Sequence, residues 1–319
     1  MNKVLYDSYG RPLLGLRITV THKCNFNCIY CHREGENPSE REMAPNEIGK
    51  IVEIAAKYGV YKIKLTGGEP LVREDIIEIV KTISKVKGIS DLAMTTNGSL
   101  LREYAKELAK AGLKRVNVNL PSLNAETYMK ITRSKYTPNE IIKGIEEALG
   151  AGLNPVKINV VILKGLNENE IEKMIQFAEK HKVILQLIEL EPVGVDPKIF
   201  NQLHLDLAPI EEKLRSRALR ITVRRDMQNR RKYLLPGGAE IEIVKPIENG
   251  SFCAACTRIR LTADGKLKPC LMRNDNLVDI LSEMRKGAPP EEIEKLFVMA
   301  AKRREPYWKT RDMQLKCSI

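Results

Sequence analysis

The chain has 319 residues, enough for one large α/β domain or for one domain with a substantial appendage. Hydrophobic residues make up 43% and charged residues 29%, and no run approaches 18 uninterrupted apolar residues, so the composition disfavours a membrane protein. The first residues contain no apolar segment of the kind found in secretory signals. We therefore expect a cytoplasmic protein that does not span a membrane.

Basic residues outnumber acidic ones by 53 to 41, which gives a net charge of +12. Such an excess favours an anionic partner such as a nucleotide, a nucleic acid or a membrane surface, although thermophilic proteins also carry highly charged surfaces. Nucleic acid is the weaker candidate because five Phe and one Trp offer few surfaces on which bases could stack. The positions of particular Lys and Arg residues must decide the rest.

Apolar, β-rich runs alternate with amphipathic segments over the first 200 residues. The predicted strands cover residues 16–20, 61–66, 91–96, 115–120, 156–162 and 184–189. Helical patterns lie between them, for example at 45–57 and 74–86. This alternation is typical of βαβ crossovers and a parallel sheet, and six units predict an incomplete (β/α)6 TIM-like barrel.

The pattern changes after about residue 200. Basic strands are predicted at 220–225, 231–235 and 240–244, followed by a helical tail over 276–304. We interpret this part as a C-terminal α+β appendage that closes the open side of the barrel. The predicted division is therefore a partial barrel over 1–200 and a C-terminal region over 201–319.

The first cysteine motif directly follows the first predicted strand, where barrels carry their active-site loops. Cys24, Cys28 and Cys31 have the spacing C-x3-C-x2-C. Clustered cysteines in a reducing compartment indicate metal binding or catalysis, and three thiolates would leave one iron of a 4Fe-4S cluster open for chemistry. The alternative is a zinc knuckle completed by His22 or His32.

Two glycine-containing turns close the next two predicted strands. Thr66-Gly67-Gly68-Glu69-Pro70 ends the second strand, and its two glycines allow a ligand to approach the backbone closely. Thr95-Thr96-Asn97-Gly98 ends the third strand, although an Asn-Gly pair is also typical of an ordinary turn.

A second cysteine motif lies in the C-terminal region. Cys253 and Cys256 form C-x2-C, and Cys270 follows after thirteen residues, with no His between them to complete a zinc site. This favours a second 4Fe-4S cluster with an open iron, with zinc as the alternative. Arg258 and Arg260 would share one face of a strand, and paired guanidinium groups suit phosphates.

These motifs resemble two known families. C-x3-C with an aromatic residue before the third Cys, followed by the Gly-Gly-Glu-Pro turn, resembles the radical S-adenosylmethionine (SAM) superfamily. The stretch F-C-x2-C-x-R-x-R-L-T-x-D-G-K-L-x-x-C-L, together with R-x-x-V-T-x-x-C-N near the N-terminus, resembles the GTP 3′,8-cyclases. That resemblance runs from about Arg11 to Arg285.

The resemblance implies a lyase of molybdenum cofactor (molybdopterin) biosynthesis that holds two 4Fe-4S clusters and SAM. In that family, SAM is cleaved to a 5′-deoxyadenosyl radical, which removes the ribose 3′ hydrogen of GTP. The resulting carbon radical attacks C8 of guanine, and the product is 3′,8-cyclo-7,8-dihydro-GTP. The resemblance also implies an external electron donor and a downstream cyclic pyranopterin monophosphate synthase.

The resemblance carries particular roles to residues of this chain. The expected metal ligands are Cys24, Cys28, Cys31, Cys253, Cys256 and Cys270. The expected cofactor contacts are Tyr30, Gly68, Glu69 and Asn119. The expected GTP contacts are Arg17, Lys64, Thr95, Lys157, Arg258, Ile259 and Arg260. Catalysis is assigned to the first three cysteines with Arg258 and Arg260.

The chain departs from the pattern of bacterial members at several positions. Asn119 stands where Ser is usual, Gln186 where the sixth strand commonly carries Arg, and Glu191 where Met often approaches the cofactor. The chain ends in residues 316–319 without the usual Gly-Gly tail, for which Lys309 or Arg311 could substitute. Cys317 is interpreted as an ordinary tail thiol.

Two other functions stay open from the sequence. One is a radical SAM maturase that modifies peptides and carries an auxiliary cluster, which the single C-terminal cysteine motif and the arginine pair disfavour. The other is a zinc-containing RNA-binding protein that uses the net positive charge.

Overall fold

Strands and amphipathic helices alternate through most of the chain, as the sequence predicts. The computed structural model describes residues 4–310. Within that range the strands are β1 (Gly15–Thr19), β2 (Lys62–Thr66), β3 (Asp91–Thr96), β4 (Arg115–Asn119), β5 (Lys157–Ile162), β6 (Ile184–Glu189), β7 (Arg220–Arg224), β8 (Arg230–Leu234), β9 (Glu240–Val244), β10 (Arg258–Leu261), β11 (Lys266–Lys268) and β12 (Val278–Asp279).

The helices pack outside these strands. They are α1 (Pro45–Lys57), α2 (Ile76–Ser84), α3 (Leu101–Ala111), α4 (Ala125–Thr132), α5 (Pro138–Gly150), α6 (Ile171–His181), α7 (Pro197–Leu203), α8 (Ala208–Arg217), α9 (Gly250–Ala254), α10 (Leu281–Arg285) and α11 (Pro290–Lys302). Sequence signals explain where several begin: α1 and α5 each start with Pro at the first position and Glu at the third.

One twelve-stranded sheet holds every strand of residues 4–310, in the order β12-β11-β10-β1-β2-β3-β4-β5-β6-β9-β8-β7. The eight strands from β10 to β9 run parallel, and an antiparallel pair extends each edge. The sheet curves without closing on itself. The predicted incomplete barrel is thus confirmed.

The C-terminal region adds strands to both edges of the barrel. Strand β9 pairs in parallel with β6, and β10 pairs in parallel with β1. The predicted appendage therefore continues the sheet instead of forming a separate layer. Strands on both sides of the predicted boundary at 200/201 belong to this sheet, and the boundary itself stays a prediction.

The tip of the β7–β8 hairpin, residues 225–229, crosses the gap between the two edges of the barrel. Asp226 forms an ion pair with Lys62 at the start of β2, and its carbonyl accepts a hydrogen bond of 3.2 Å from the Thr257 hydroxyl. These contacts place the hairpin tip against the amino ends of β2 and β10. The hairpin thus helps to close the open side, as the sequence analysis expected of this region.

The alternation of strand residues separates the core from the interior of the barrel. On β2, Ile63 and Leu65 are buried against the helices, whereas Lys62, Lys64 and Thr66 line the interior cavity. Side chains alternate in the same way on the neighbouring strands, because parallel strands keep their pleats in register. Polar side chains therefore collect inside the barrel.

The predicted helical tail at 276–304 is not one helix. It contains β12, α10 and α11, because Gly287 adopts a positive φ of 81° and Pro289 and Pro290 follow it. A proline removes a helical hydrogen bond and starts a new helix more readily than it continues one. Along residues 4–310, no helix is long and apolar enough to cross a membrane.

A buried arginine joins the C-terminal helix to the N-terminal segment. Arg304 is 1% exposed and lies 3.6 Å from the Asp7 carboxylate, while its guanidinium donates to the carbonyls of Arg11, Pro12 and Cys256. The fork geometry of arginine lets one side chain satisfy several acceptors.

We expect Arg304→Ala to lower the free energy of unfolding by about 2 kcal/mol or more, because it leaves three carbonyls without this donor and removes one of the two guanidinium groups beside the buried Asp7 carboxylate. Chemical denaturation followed by circular dichroism measures the change. Arg303→Ala is the matched control, since Arg303 is exposed and donates to a single carbonyl. Equal stability of the two variants would contradict the assigned role.

Candidate active site

The interior of the barrel holds a cavity of about 580 Å³. Both cysteine motifs open into it, as do the inner faces of the parallel strands. Of the residues predicted from the sequence, those that line the cavity are Cys24, Cys28, Cys31, Cys253, Cys256, Cys270, Tyr30, Gly68, Asn119, Arg17, Lys64, Thr95, Lys157, Arg258 and Arg260.

The first cysteine loop lies at the carboxyl end of β1 and is held against helix α4. The backbone NH groups of Asn27 and Ile29 donate to the carbonyls of Thr132 and Ile131, at 3.1 and 3.0 Å. The NH of Cys31 donates to the carbonyl of Cys28 at 3.1 Å, which turns the chain tightly between the two thiols. The loop therefore presents its thiols from a fixed backbone.

The Gly-Gly-Glu-Pro turn packs backbone to backbone against this loop. The NH groups of Gly68 and Glu69 donate to the carbonyls of Thr21 and Lys23, both at 2.8 Å. A Cβ atom on Gly68 would lie 2.2 Å from the Lys23 carbonyl oxygen. Only glycine permits this approach, so the turn and the cysteine loop take their positions from each other.

Glu69 lies behind the wall of the cavity and is fully buried. Its carboxylate accepts hydrogen bonds from the Thr96 hydroxyl and the backbone NH groups of Asn97 and Leu71, at 2.7, 2.6 and 3.0 Å. Burial raises its pKa to about 7 against these hydrogen bonds. The Glu69 carboxylate therefore joins the ends of β2 and β3, and the expected cofactor contact of Glu69 stays a prediction.

Tyr30 and Asn119, two of the expected cofactor contacts, touch each other. The Tyr30 hydroxyl donates to Oδ1 of Asn119 at 2.8 Å, and both side chains line the cavity. The bond links the cysteine loop to the end of β4 and leaves the Asn119 amide NH2 group available to a ligand.

The second cysteine motif lies at the other end of the parallel strands. Cys256 precedes β10, whereas the first motif follows β1, and these two strands run parallel. Cys270 follows β11, which is antiparallel to β10, and so reaches the same end. Burial raises the pKa of the Cys256 thiol, but the positive charges of Arg258, Arg304 and Arg11 outweigh it and lower that pKa overall.

Each cysteine motif brings three thiols to the cavity. The six cysteines are free thiols, and in residues 4–310 no three or more His, Cys, Asp or Glu side chains converge as ligands of one metal ion. Thiolates of a 4Fe-4S cluster bind different irons and need not converge on one point. The two ring nitrogens of His22 bond to Glu36 and Ser39, and Nδ1 of His32 accepts from the Glu34 NH.

Glu34 is an internal anion that sequence reasoning missed. Its carboxylate is 5% exposed, lies 3.3 Å from the Arg17 guanidinium and 3.8 Å from that of Arg260, and accepts from the Thr66 hydroxyl at 2.9 Å. Burial opposes its ionisation, but Arg17, His32, Arg260 and Thr66 outweigh burial and lower its pKa to about 2. Glu34 thus neutralises part of the cationic interior.

The two inward lysines have different partners. Lys157 lies 2.7 Å from the Glu242 carboxylate, so the fold supplies an anion beside it, and its expected contact with GTP stays a prediction. Lys64 donates to Oδ1 of Asn117 at 2.9 Å and has no carboxylate within 4 Å among the described residues. Burial, followed by the neighbouring charges of Arg115, Arg17, Lys157 and Arg230, lowers the pKa of Lys64 well below its usual value.

The arginine pair on β10 points into the cavity, as the spacing predicts. Arg258 and Arg260 pair in register with Gly15 and Arg17 of β1 and line the cavity. Ile259, also expected to contact GTP, has its side chain fully buried on the opposite face. Only its backbone faces the site, because neighbouring residues on a strand point to opposite sides.

Several donors in the cavity wall make no hydrogen bond within the described part of the chain. They are the Arg17 Nε, the Thr95 hydroxyl and the Arg260 Nε, all buried. Unpaired buried donors cost free energy that an oxygen-rich ligand can recover. All three belong to residues expected to bind GTP.

The residues at which the chain departs from the family pattern also enclose the cavity. Gln186 is 4% exposed, accepts from Asn117 at 2.9 Å and donates to Glu242. Glu191 lines the cavity, with its Oε2 buried and unpaired among the described residues. The ammonium of Lys309 lies 5.8 Å from the centre of the Tyr9 ring, whereas Arg311 and Cys317 lie outside the described residues.

Other cavity residues went unpredicted although a signal existed. Arg115 and Asn117 lie on the same face of β4 as Asn119, so the alternation of side chains along the strand alone would place them inside the barrel. Arg115 makes a bidentate ion pair with Asp91, with both distances 2.7 Å. No local signal identifies Glu34, which lies in a short irregular turn with positive φ angles.

Comparisons with known proteins agree with this geometry. Residues 18–178 match the model of the Radical SAM superfamily, and residues 183–310 match the model described as Molybdenum Cofactor Synthesis C. Streptococcus suis SuiB superimposes with a TM-score of 0.64 at 18% identity over 94% of this chain and 68% of that chain. The enzyme anSMEcpe with bound AdoMet gives 0.57 at 15% identity over 83% and 77%. The fold and site define the class of radical SAM proteins.

Curated relatives narrow this class. A protein of Thermococcus kodakarensis is 50% identical over 96% of this chain and 100% of its own length. A protein of Methanothermobacter thermautotrophicus is 47% identical over 95% and 98%. Both carry the name probable GTP 3′,8-cyclase, and the chain belongs to this family of the radical SAM superfamily. The peptide-modifying and RNA-binding alternatives are thereby set aside.

We expect Gly68→Ala to displace the first cysteine loop, because the new methyl group would overlap the carbonyl oxygens of Lys23 and His22. The rate of SAM cleavage should fall by about tenfold or more, because small displacements of reacting groups slow enzymatic reactions by such factors. Iron content and 5′-deoxyadenosine formation under anaerobic conditions measure the effect. Gly150→Ala is the control, since its Cβ would meet nothing within 4 Å; matching cleavage rates would refute the packing role of Gly68.

We expect Glu34→Gln to lower the free energy of unfolding without ligand by about 3 kcal/mol, because Arg17 and Arg260 lose their shared carboxylate. The increase in Tm caused by GTP should then be larger than in the parent enzyme, since the phosphates replace a missing anion. Thermal unfolding with and without GTP tests both points. The control is Glu40→Gln, on an exposed side chain. An unchanged GTP-induced shift would contradict the internal-anion role.

Proposed function

We propose that this protein converts GTP to (8S)-3′,8-cyclo-7,8-dihydroguanosine 5′-triphosphate by radical SAM chemistry, the first step of molybdenum cofactor biosynthesis. The family supports the proposal, since curated relatives named probable GTP 3′,8-cyclase are 45–50% identical to the chain. The structural observation that carries it is a single cavity with three free thiols at each end and cationic side chains between them.

Cys24, Cys28 and Cys31 would hold the first 4Fe-4S cluster, with SAM at its open iron. When bound, this pair supplies the one-electron reductive cleavage of SAM that generates a radical. The residues beside the thiols hold the cofactor in place: the backbone of Gly68 allows close approach, and the Asn119 amide is oriented by the Tyr30 hydroxyl. Glu69 supports this wall from behind.

The cationic middle of the cavity would bind the nucleotide. Arg17, Thr95 and Arg260 each present a donor that makes no hydrogen bond within the described residues, and ribose hydroxyl and phosphate oxygens are suitable acceptors. Lys64 lacks a carboxylate partner within the described range, so a phosphate near it would favour its charged form. Burial in a site with little water strengthens each of these interactions.

We further propose a second 4Fe-4S cluster on Cys253, Cys256 and Cys270, whose open iron binds the guanine of GTP. Free thiols at three positions and the lowered pKa of Cys256 support the assignment, because thiolates are the ligands of such clusters. Arg258 and Arg260 lie beside this end of the cavity and would hold the substrate there.

The remaining partners follow from the chemistry. Reductive cleavage of SAM requires an external electron donor, and the cyclised nucleotide requires a downstream enzyme that rearranges it to cyclic pyranopterin monophosphate. We propose that these steps take place in the cytoplasm.

Anaerobic reconstitution with iron and sulfide, followed by reduction and addition of SAM and GTP, tests the proposed function. We expect about eight irons per chain and 5′-deoxyadenosine whose formation depends on GTP, because two four-iron clusters are proposed. Four irons with retained GTP dependence would contradict the second cluster alone. Absence of GTP dependence would contradict the cyclase function.

We expect the double variant Arg258→Ala, Arg260→Ala to lose formation of the cyclised nucleotide while slow uncoupled cleavage of SAM continues. The two guanidinium groups lie on the substrate side of the cavity and not in the cysteine loop of the first cluster. Product and 5′-deoxyadenosine are quantified separately by chromatography. Unchanged GTP turnover would refute the assigned role.

A further inference from the structure

The β7–β8 hairpin carries a cationic side chain into the cavity. Arg230, at the start of β8, is 9% exposed and lines the cavity, and its Nε donates to the Met227 carbonyl at 2.9 Å. The hairpin loop also contacts Lys62 and Thr257 on the opposite side of the gap. The loop that closes the barrel therefore delivers Arg230 to its interior.

Glu242 on β9 holds Arg230 in place. This carboxylate is completely buried and lies 3.6 Å from Arg230 and 2.7 Å from Lys157, and it also forms an ion pair with Arg224. Burial opposes ionisation of Glu242, but the surrounding Lys157, Arg230 and Arg224 charges lower its pKa overall. One carboxylate thus faces three cations.

This group of residues is over-supplied with positive charge for a purely structural ion pair. Buried charges are expensive unless they are balanced, and here the buried Lys157 and Arg230 and the partly exposed Arg224 share one carboxylate. Burial lowers the pKa of Arg230 to about 10. Glu242 opposes this effect, whereas the positive charges of Arg224, Arg17 and Arg115 add to it. A further negative charge beside Arg230 would therefore be stabilised.

Cationic side chains on several other strands surround the same space. Lys64 of β2 and Arg258 of β10 line the same cavity as Arg230. Neither of those side chains has a carboxylate partner within 4 Å among residues 4–310. A ligand that balances this set needs several negative charges close together, as a chain of phosphates has.

We propose that Arg230, positioned by Glu242, is a further substrate-binding residue that contacts the triphosphate chain. This inference rests on the proposed function and adds a binding residue that neither motif predicted. The guanidinium fork suits phosphate oxygens because it donates two parallel hydrogen bonds. Gln186 also donates to the Glu242 carboxylate but is neutral, so the positive charge beside Glu242 comes in part from Arg230 of the hairpin.

The chain offers a closely matched control. Arg224 lies opposite Arg230 in the hairpin and pairs with the same Glu242, but it does not line the cavity. Arg224→Ala therefore removes the same charge and one ion pair of the same carboxylate without removing a contact to the ligand. Arg230→Lys keeps the charge and loses the fork.

The test is equilibrium binding of GTP, guanosine and inorganic triphosphate to the reconstituted holoenzyme. We expect Arg230→Ala to weaken binding of GTP and triphosphate by roughly tenfold to a hundredfold and to leave guanosine binding unchanged, since charge-assisted bonds to phosphate are lost. Arg230→Lys should recover part of this loss. Arg224→Ala should bind all three probes within about threefold of the parent enzyme.

Three results would overturn the inference. Arg230→Ala could bind GTP as tightly as the parent, the two alanine variants could lose equal affinity, or guanosine binding could fall together with GTP binding. Iron content and circular dichroism show whether each variant is folded. If Arg230→Ala does not fold, Arg230→Lys is compared with Arg224→Ala instead. Failure of the parent enzyme itself to bind GTP would instead contradict the proposed function.

Discussion

Balance of buried charge is the constraint on which this structure depends. Lysine and arginine side chains project into the barrel from several strands, and burying their charges is costly unless anions balance them. Three carboxylates supply part of that balance, namely Glu34, Asp91 and Glu242. They come from a loop, an inner strand and a C-terminal strand, so the charged interior ties distant parts of the chain together. The unbalanced remainder is what suits the cavity to an anionic nucleotide.

The parallel sheet arranges this chemistry along one direction. The first cysteine loop follows the carboxyl end of β1, while Cys256 precedes the amino end of the parallel strand β10. The two thiol sets therefore lie at opposite ends of one cavity, and the inner strand faces separate them. Glycine at position 68 lets the Gly-Gly-Glu-Pro turn pack directly on the first loop. Placement of both sites follows from strand direction and close backbone packing.

Local patterns predicted much of the fold and of the site. The six strands of the barrel lie within one or two residues of their predicted positions, because alternation and β-branched residues are local signals. The cysteine motifs and the arginine pair were also found locally. Ile259 lies between Arg258 and Arg260 on the strand, and its buried side chain points away from the cavity, so its expected contact with GTP stays a prediction. Glu69 was expected to contact the cofactor because it belongs to the Gly-Gly-Glu-Pro turn. Its carboxylate is buried behind the cavity wall and accepts a hydrogen bond from Thr96.

What the sequence determined by itself is the chemistry that depends on spacing: thiols four and three residues apart, arginines two residues apart on a strand, and glycines where backbones meet. Only the tertiary structure decided which charges neutralise each other. Glu34 meets Arg260, and Glu242 meets Lys157, across long stretches of chain. The physical reason is that an ion pair depends on distance in space, which sequence spacing does not encode once the chain has crossed the sheet. Which cations remain for the substrate was therefore settled by folding.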